Sequence, residues 1–175
     1  DPPYGIDLGN IYSSKVSTFD SNYTEISDSD YPLFIKKLCE KVFKVASKNS
    51  WIIMWFSPKW YTLIYSNLTQ VGFSLSPLPA IWNKGPSGIT LSPNTILGNS
   101  YDPFFYCRKG EAQLVKRGRS NIFSIERLYS TSKSHPTERP IELYKEIINT
   151  FCWPESTILV PFAGSGNALI AANEL

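Results

Sequence analysis

Histidine, cysteine and methionine are scarce in this chain of 175 residues, which contains one, three and one of them respectively. The cysteines Cys39, Cys107 and Cys152 are far apart and form no C-x-x-C pair. A zinc site needs several cysteine or histidine ligands at short spacing, so this scarcity argues against a bound metal. Because the cysteines are few and odd in number, we expect free thiols and a reducing, cytosol-like compartment.

Long apolar runs are absent as well. No stretch reaches the roughly 18 uninterrupted apolar residues that a membrane-spanning helix needs, and no secretory or transit peptide is visible. Hydrophobic residues make up 42% of the chain and charged residues 18%, which is typical of a soluble protein. At this length we expect one domain, residues 1–175, that can bury a sizeable core.

The last part of the chain has the pattern strand, glycine turn, helix. Residues 156–160 are apolar and β-branched, which indicates a buried parallel strand, and residues 167–175 are rich in alanine, leucine and isoleucine, which favours a helix. Gly164 and Gly166 lie between them and allow a sharp turn that brings the backbone close to a ligand. Open α/β sheets build ligand sites at such turns. The spacing is neither G-x-G-x-x-G nor that of a P-loop.

The first residues form a second candidate site. Asp1 supplies a carboxylate, Pro2 and Pro3 fix the backbone and remove two N–H donors, and Tyr4 adds an aromatic ring. A rigid corner that is rich in acceptors and has a stacking face suits a planar group with an exocyclic amine. The carboxylate and a prolyl carbonyl would accept its two N–H bonds.

These stretches together resemble the amino-methyltransferases of DNA, which transfer a methyl group from S-adenosylmethionine to an exocyclic base nitrogen. The D-P-P-Y stretch at 1–4 matches their catalytic motif, F-A-G-S-G at 162–166 matches their cofactor loop, and H-P-T-E-R-P at 135–140 is similar to the segment that precedes this loop. The order of the motifs, with the catalytic one first, is that of the permuted β-type enzymes. The resemblance implies a Rossmann-like α/β methyltransferase sheet with helices on both faces.

The resemblance also assigns residues. It implies that the catalytic residues are Asp1, Pro2, Pro3 and Tyr4. It implies that the cofactor-binding residues are Phe162, Ala163, Gly164, Ser165, Gly166, His135, Thr137, Glu138 and Arg139. Two positions depart from the family pattern: Val160 stands where aspartate is usual, and Arg139 replaces the commoner lysine, which keeps the charge but changes its geometry.

An aspartate at the first position of the motif is usual in adenine-N6 enzymes, so we expect methylation of adenine N6. Methylation of cytosine N4, methylation of an amide or of RNA, and a degenerate module that binds without turnover remain open. The chain opens inside a motif and stops within a predicted helix, and we therefore expect it to be part of a longer protein, truncated at both ends.

Between the motifs, the apolar spacing predicts helices over 32–48, 57–71 and 140–151 and strands over 51–56, 73–82 and 101–108. Residues 108–139 hold eight basic and three acidic residues, so we expect the short loop and strand region at 83–134 to face DNA. The DNA-binding candidates are Lys84, Lys116, Arg117 and Arg119. The expected partner is double-stranded DNA in the cytoplasm of a bacterial or phage-infected cell, with no membrane contact. The sequence leaves open a homodimer, a restriction partner and a further recognition domain outside this chain.

Overall fold

The computed structural model describes residues 1–5, 26–86, 88, 90, 92–128 and 138–175. In chain order the described elements are α1 (Tyr31–Val45), β1 (Ser50–Trp55), a 3₁₀ turn (Pro58–Trp60), α2 (Tyr61–Gln70), β2 (Ser74–Leu75), β3 (Ala80–Asn83), β4 (Tyr101–Lys109), β5 (Ile122–Ser124), α3 (Ile141–Phe151) and α4 (Asn167–Asn173).

The sheet is built around β4. Strand β1 pairs with it on one side and strands β2 and β3 pair with it on the other, all antiparallel, and β5 lies parallel to β3 at the outer edge. Strands β1, β3 and β5 therefore run in the same direction, and β1 and β3 end beside the first residues of β4. This carboxyl edge is where open α/β sheets place their ligands.

Helices cover both faces of the sheet. Successive side chains of a strand point to opposite faces, so Phe105 packs on one side of β4 and Phe104 on the other. Phe105 belongs to a core with Ile35 of α1 and Ile64 of α2. Phe104 belongs to a second core with Leu143 of α3 and other buried residues of β1, β3 and β5. The prediction of a layered α/β domain with helices on both faces is confirmed.

The three long helices are confirmed to within a few residues, because their sequence signals are local. Pro58 begins the 3₁₀ turn that leads directly into helix α2. Gly72 lies just after the end of this helix and has φ of +108°. No helix in the described ranges is long and apolar enough to cross a membrane.

Several strand predictions differ from the structure. Residues 156–160 form no strand, because no described strand lies beside them to accept their hydrogen bonds. The predicted strand over 73–82 is split into β2 and β3, since Pro77 and Pro79 lie between the two pairing segments and cannot donate to a ladder. Only the last two residues of β1 are buried, and among the described strands β1 pairs with β4 alone. Strand β5 was not predicted.

Candidate active site

Two aromatic residues hold the corner formed by residues 1–5 in place. The indole Nε1 of Trp60 donates to the carbonyl oxygen of Gly5 at 3.2 Å, and the ring of Tyr31 stacks on Trp60 with 4.7 Å between centroids. Gly5 has φ of +56°, and a Cβ at that position would overlap the Tyr31 ring. The first turn of α1 and the turn before α2 therefore hold the corner in place.

Arg139 is the residue on which the candidate site converges. One Nη donates to Oδ2 of Asp1, and the other donates to the Tyr4 hydroxyl at 2.6 Å. Its guanidinium carbon lies 4.1 Å from the centroid of the buried Trp55 ring, and only 4% of the side chain is exposed. A planar guanidinium can bond two groups and stack on a third at the same time, which explains how one side chain joins all three.

Burial and neighbouring charge shift the protonation of this cluster. Burial raises the pKa of Tyr4 well above its ordinary value of 10.0, although the charge of Arg139 acts in the opposite direction. Burial alone would lower the pKa of Arg139, but its interactions with Tyr4, Tyr144 and Asp102 outweigh burial and raise it. Arg139 is therefore charged and Tyr4 is neutral at any physiological pH.

A second carboxylate stands near the same guanidinium. Oδ2 of Asp102, near the start of β4, lies 3.9 Å from Nη2 of Arg139. Its other oxygen, Oδ1, lies 2.6 Å from Nζ of Lys84, which follows β3. The carboxyl edge of the sheet thus brings two cations and two carboxylates, those of Asp1 and Asp102, into one row.

The glycine loop has the backbone that its sequence predicts. Gly164 and Gly166 have φ of +54° and +81°, and the Gly166 N–H donates to the Ala163 carbonyl at 2.8 Å. A Cβ placed on either glycine would meet no atom of the described residues within 4 Å, so on their side the loop faces open space. The ring of Phe162 lies edge-on to Phe34 of α1, with 6.4 Å between centroids. A glycine turn beside open space fits a bound cofactor that approaches the backbone closely.

Asn167 connects this loop to the corner at residues 1–5. Its Nδ2 donates to the Arg139 carbonyl at 2.8 Å and to Oε1 of Glu138 at 3.0 Å. Asn167 follows Gly166 directly, and Arg139 bonds Asp1, so residues at the start, near 139 and near 167 form one continuous network. The structure therefore brings together the three stretches that the sequence singled out.

Two of the predicted cofactor residues, His135 and Thr137, lie outside the described residues. Glu138 and Arg139 are described, and Arg139 points into the catalytic corner, where it bonds Asp1 and Tyr4.

The predicted DNA-binding residues are largely engaged within the protein. Lys116 and Arg119 both bond the Glu146 carboxylate, at 2.7 and 2.9 Å. Lys84 pairs with Asp102, as described above. Arg117 makes a long bond of 3.4 Å to Gln113 and lines an open depression of about 370 Å³ away from the catalytic corner.

Sequence reasoning missed several residues of the site. Asp102, Trp55, Trp60 and Asn167 lie in or beside segments that were correctly assigned, but nothing local marks them as part of a site. Asn167 is the first residue of α4, whose N-cap is Gly166, and its side chain does not cap the helix. All four residues acquire their roles only through contacts with residues far away in the sequence.

Known proteins resemble this chain in sequence and in fold. A model of the DNA methylase family matches residues 1–175, the whole chain. A curated protein of Escherichia coli strain K12, named "Putative methylase YubD", is 22% identical over 139 residues, which are 79% of this chain and 58% of that protein. The chain thus spans somewhat more than half the length of this curated relative.

Solved methyltransferase structures share the fold. The M1.HpyAVI–SAM complex matches with a TM-score of 0.65 and 19% identity, covering 79% of this chain and 71% of the other. The PvuII cytosine-N4-specific DNA methyltransferase matches with a TM-score of 0.68 and 16% identity, covering 89% of this chain and 66% of the other. These similarities confirm the predicted Rossmann-like methyltransferase fold. Because the family match extends over every residue of the sequence, this chain belongs to the DNA methylase family.

Proposed function

We propose that this protein transfers a methyl group from S-adenosylmethionine to the exocyclic N6 of an adenine flipped out of double-stranded DNA. The observation that carries the proposal is the joining of the acceptor-rich corner to the glycine loop through Arg139 and Asn167. A donor site and an acceptor site must be adjacent for direct methyl transfer, and these two belong to one bonded network.

The glycine loop at 162–166 is the proposed cofactor site, together with Glu138 and with His135 and Thr137 as the sequence predicts. The two glycines have positive φ and face open space, so a ligand can lie directly against the backbone. S-adenosylmethionine would supply there a methyl group on a sulfonium, and the neutral thioether that departs when the methyl–sulfur bond breaks is a good leaving group.

Asp1 and the Pro2 carbonyl are the proposed acceptors for the amino protons of the target base. An exocyclic amine is a weak nucleophile because its lone pair is delocalised into the ring, and two oriented acceptors favour a pyramidal nitrogen. Oδ2 of Asp1 is held by Arg139, and Oδ1 has no hydrogen-bond partner among the described residues. The carboxylate thus has one fixed oxygen and one available to a substrate, which is how a site gains from orientation and preorganised charge.

Tyr4 is proposed to supply the stacking face. A base within a duplex cannot reach the corner, so it must leave the helix and be held by an aromatic surface. The hydrogen bond from Arg139 fixes the position of the Tyr4 hydroxyl, at the far end of the ring.

We propose that a basic patch of Lys116, Arg117 and Arg119 contacts the phosphates of the DNA backbone. A DNA contact by Lys84 stays a prediction from the sequence. Since Lys116 and Arg119 already share Glu146, phosphate would have to compete with a carboxylate for them. We expect Arg117 to contribute most of this patch's salt-dependent affinity.

Single-turnover methylation of two DNA duplexes tests the proposal. One duplex contains adenine, and the other contains no adenine, so that cytosine carries the candidate amine. We expect transfer to adenine, and Asp1→Ala should reduce it at least about a hundredfold, the scale of one oriented electrostatic contact. Asp1→Asn should reduce it less, because an amide oxygen still accepts a hydrogen bond. Cofactor affinity, measured by calorimetry, should be unchanged in both variants.

Other outcomes would select the alternatives. Methylation of the cytosine duplex alone would establish cytosine-N4 specificity, which the similarity in fold to the PvuII enzyme makes the second candidate. Cofactor binding without transfer to either duplex would indicate a module that binds DNA or a partner without turnover. An active Asp1→Ala enzyme would overturn the mechanism.

A further inference from the structure

We propose that Lys84, Asp102 and Arg139 form a row of alternating charge that ends on Asp1 and positions its carboxylate, and that Arg139 is a positioning residue, not a ligand of the cofactor. This inference rests on the proposed function for its role in methyl transfer. The row itself is a structural arrangement that can be tested separately.

The contacts of Arg139 leave it little capacity to bind a ligand. Its two Nη groups donate hydrogen bonds to Asp1 and Tyr4, and its guanidinium lies over the Trp55 ring. Its backbone carbonyl accepts a hydrogen bond from Asn167. The remaining donor, Nε, is buried and has no hydrogen-bond partner among the described residues. A cofactor in the open space beside the glycine loop would not reach a group that solvent does not reach.

The row explains how a guanidinium that is only 4% exposed keeps its charge. A buried charge is costly unless it is paired, and Arg139 has Asp1 on one side and Asp102 on the other. Lys84, whose side chain is 18% exposed, holds Oδ1 of Asp102 at 2.6 Å and so keeps the second carboxylate in place. Two cations and two carboxylates alternate, and the row is neutral as a whole.

The geometry also explains why arginine suits this position. The fork of the guanidinium reaches Asp1 and Tyr4 at once while its carbon lies 4.1 Å from the Trp55 ring centroid. A lysine ammonium is a point charge on a flexible stem, so it could pair with Asp1 but would not also bond the Tyr4 hydroxyl from a second nitrogen. One side chain thus joins the carboxylate of Asp1 to the hydroxyl of Tyr4.

The test compares Arg139→Lys and Asp102→Asn with Lys109→Met. Lys109 is a matched control, because its ammonium also lies over an aromatic ring, 4.3 Å from the centroid of Phe43, and donates to two carbonyls at 2.6 and 2.7 Å. It lies at the opposite end of β4 from Asp102. Each protein is assayed for single-turnover rate, cofactor affinity and melting temperature.

We expect Arg139→Lys to lower the single-turnover rate about 10–100-fold with cofactor affinity unchanged, since a small misplacement of a reacting group has effects of that size. Asp102→Asn should lower the rate less, again without affecting cofactor affinity. Lys109→Met should lower only the melting temperature. A loss of cofactor affinity in Arg139→Lys that matches its loss of rate would make Arg139 a cofactor ligand and overturn the proposal.

A double-mutant cycle with Asp1→Asn shows whether Arg139 acts through Asp1. If it does, Arg139→Lys adds little to the rate loss of Asp1→Asn, because coupled residues are not additive. Rate losses that multiply independently would contradict the positioning role.

The same cycle measured on melting temperature does not depend on activity. Non-additive shifts for Arg139→Lys and Asp1→Asn would show that Arg139 is coupled to Asp1 at the end of the row even if no DNA substrate were methylated, in which case the proposed function alone would fail. Additive shifts would show that Arg139 does not position Asp1, whatever the enzyme does.

Discussion

At the scale of single residues, Gly166 and Gly118 form an informative pair. Both have positive φ, +81° and +71°, and within the described part of the chain a Cβ on either would meet no atom within 4 Å. A side chain at either position is therefore strained by the backbone alone and does not clash with the protein. They differ in location, since only Gly166 belongs to the loop that we propose to hold the cofactor.

We expect Gly166→Val and Gly118→Val to lose similar stability, roughly 1–2 kcal/mol each, because both force a β-branched residue into the left-handed region. Only Gly166→Val should lose affinity for S-adenosylmethionine, since its side chain projects into the space in front of the loop. Calorimetric titration and urea denaturation of both variants measure the two effects. Equal cofactor affinity in the two proteins would remove the loop from the site.

Among the helices and strands, α3 has a role that its own sequence does not reveal. Its apolar side faces the sheet, whereas Glu146 on the same helix binds both Lys116 and Arg119 from the segment before β5. Arg119 is further fixed by Phe123 of β5, whose ring centroid lies 3.5 Å from its guanidinium carbon. The helix thereby anchors the basic segment that the sequence assigned to DNA.

Glu146→Gln tests this anchoring through its pH dependence. Partial burial alone would raise the pKa of Glu146, but the bonds from Lys116 and Arg119 outweigh it and lower the pKa from its ordinary 4.5. A lowered carboxylate pKa stabilises the folded state above the unfolded pKa, and this stability is lost as the pH falls through the folded value. The side chain is 30% exposed, so the contribution at pH 7 should be at most about 1 kcal/mol.

Urea denaturation at a series of pH values measures the difference between Glu146→Gln and the parent protein. That difference should be largest near pH 7 and should close as the pH falls below 4.5. Glu142→Gln is the control, because Glu142 lies on the same helix in an exposed pair with Lys145 and should show a smaller change. A difference that persists in acid would contradict the assigned contacts.

At the scale of the whole molecule, the reactivity of the cysteines measures whether the hydrophobic core is closed. Cys39 of α1 and Cys107 of β4 are fully buried in one hydrophobic cluster, whereas Cys152 is half-buried. Burial, reinforced by the nearby Glu40, raises the pKa of Cys39 to about 12, and burial also raises the pKa of Cys107 and of Cys152. Because the thiolate is the reactive form, the two core cysteines should be inert in the folded protein.

We expect iodoacetamide to label Cys152 first in the native protein and to label Cys39 and Cys107 only as the protein unfolds. With increasing urea, the two core cysteines should become reactive together, since they share one cluster. Peptide mass spectrometry of quenched samples follows each site. Labelling of Cys39 at the rate of Cys152 without denaturant would show that the core described here opens independently of the rest.

The sequence by itself determined the features that depend on nearby residues. The three long helices follow from apolar spacing, from prolines at first turns and from Gly72 at a helix end, and all of these act within a few residues. The glycine turn at 164–166 is likewise encoded locally, because glycine readily adopts positive φ. The motifs at 1–4, 135–140 and 162–166 are likewise short local stretches, and by themselves they resemble those of the DNA amino-methyltransferases.

Tertiary structure decided the rest. A strand requires a neighbour to accept its hydrogen bonds, which is why residues 156–160 have strand-like composition and form no strand. The roles of Arg139 and Asp102 were equally invisible, because a charge becomes buried or exposed according to partners more than thirty residues away. Local sequence sets backbone preference, whereas the pairing of strands and of buried charges depends on which distant groups the folded chain brings within a few ångströms.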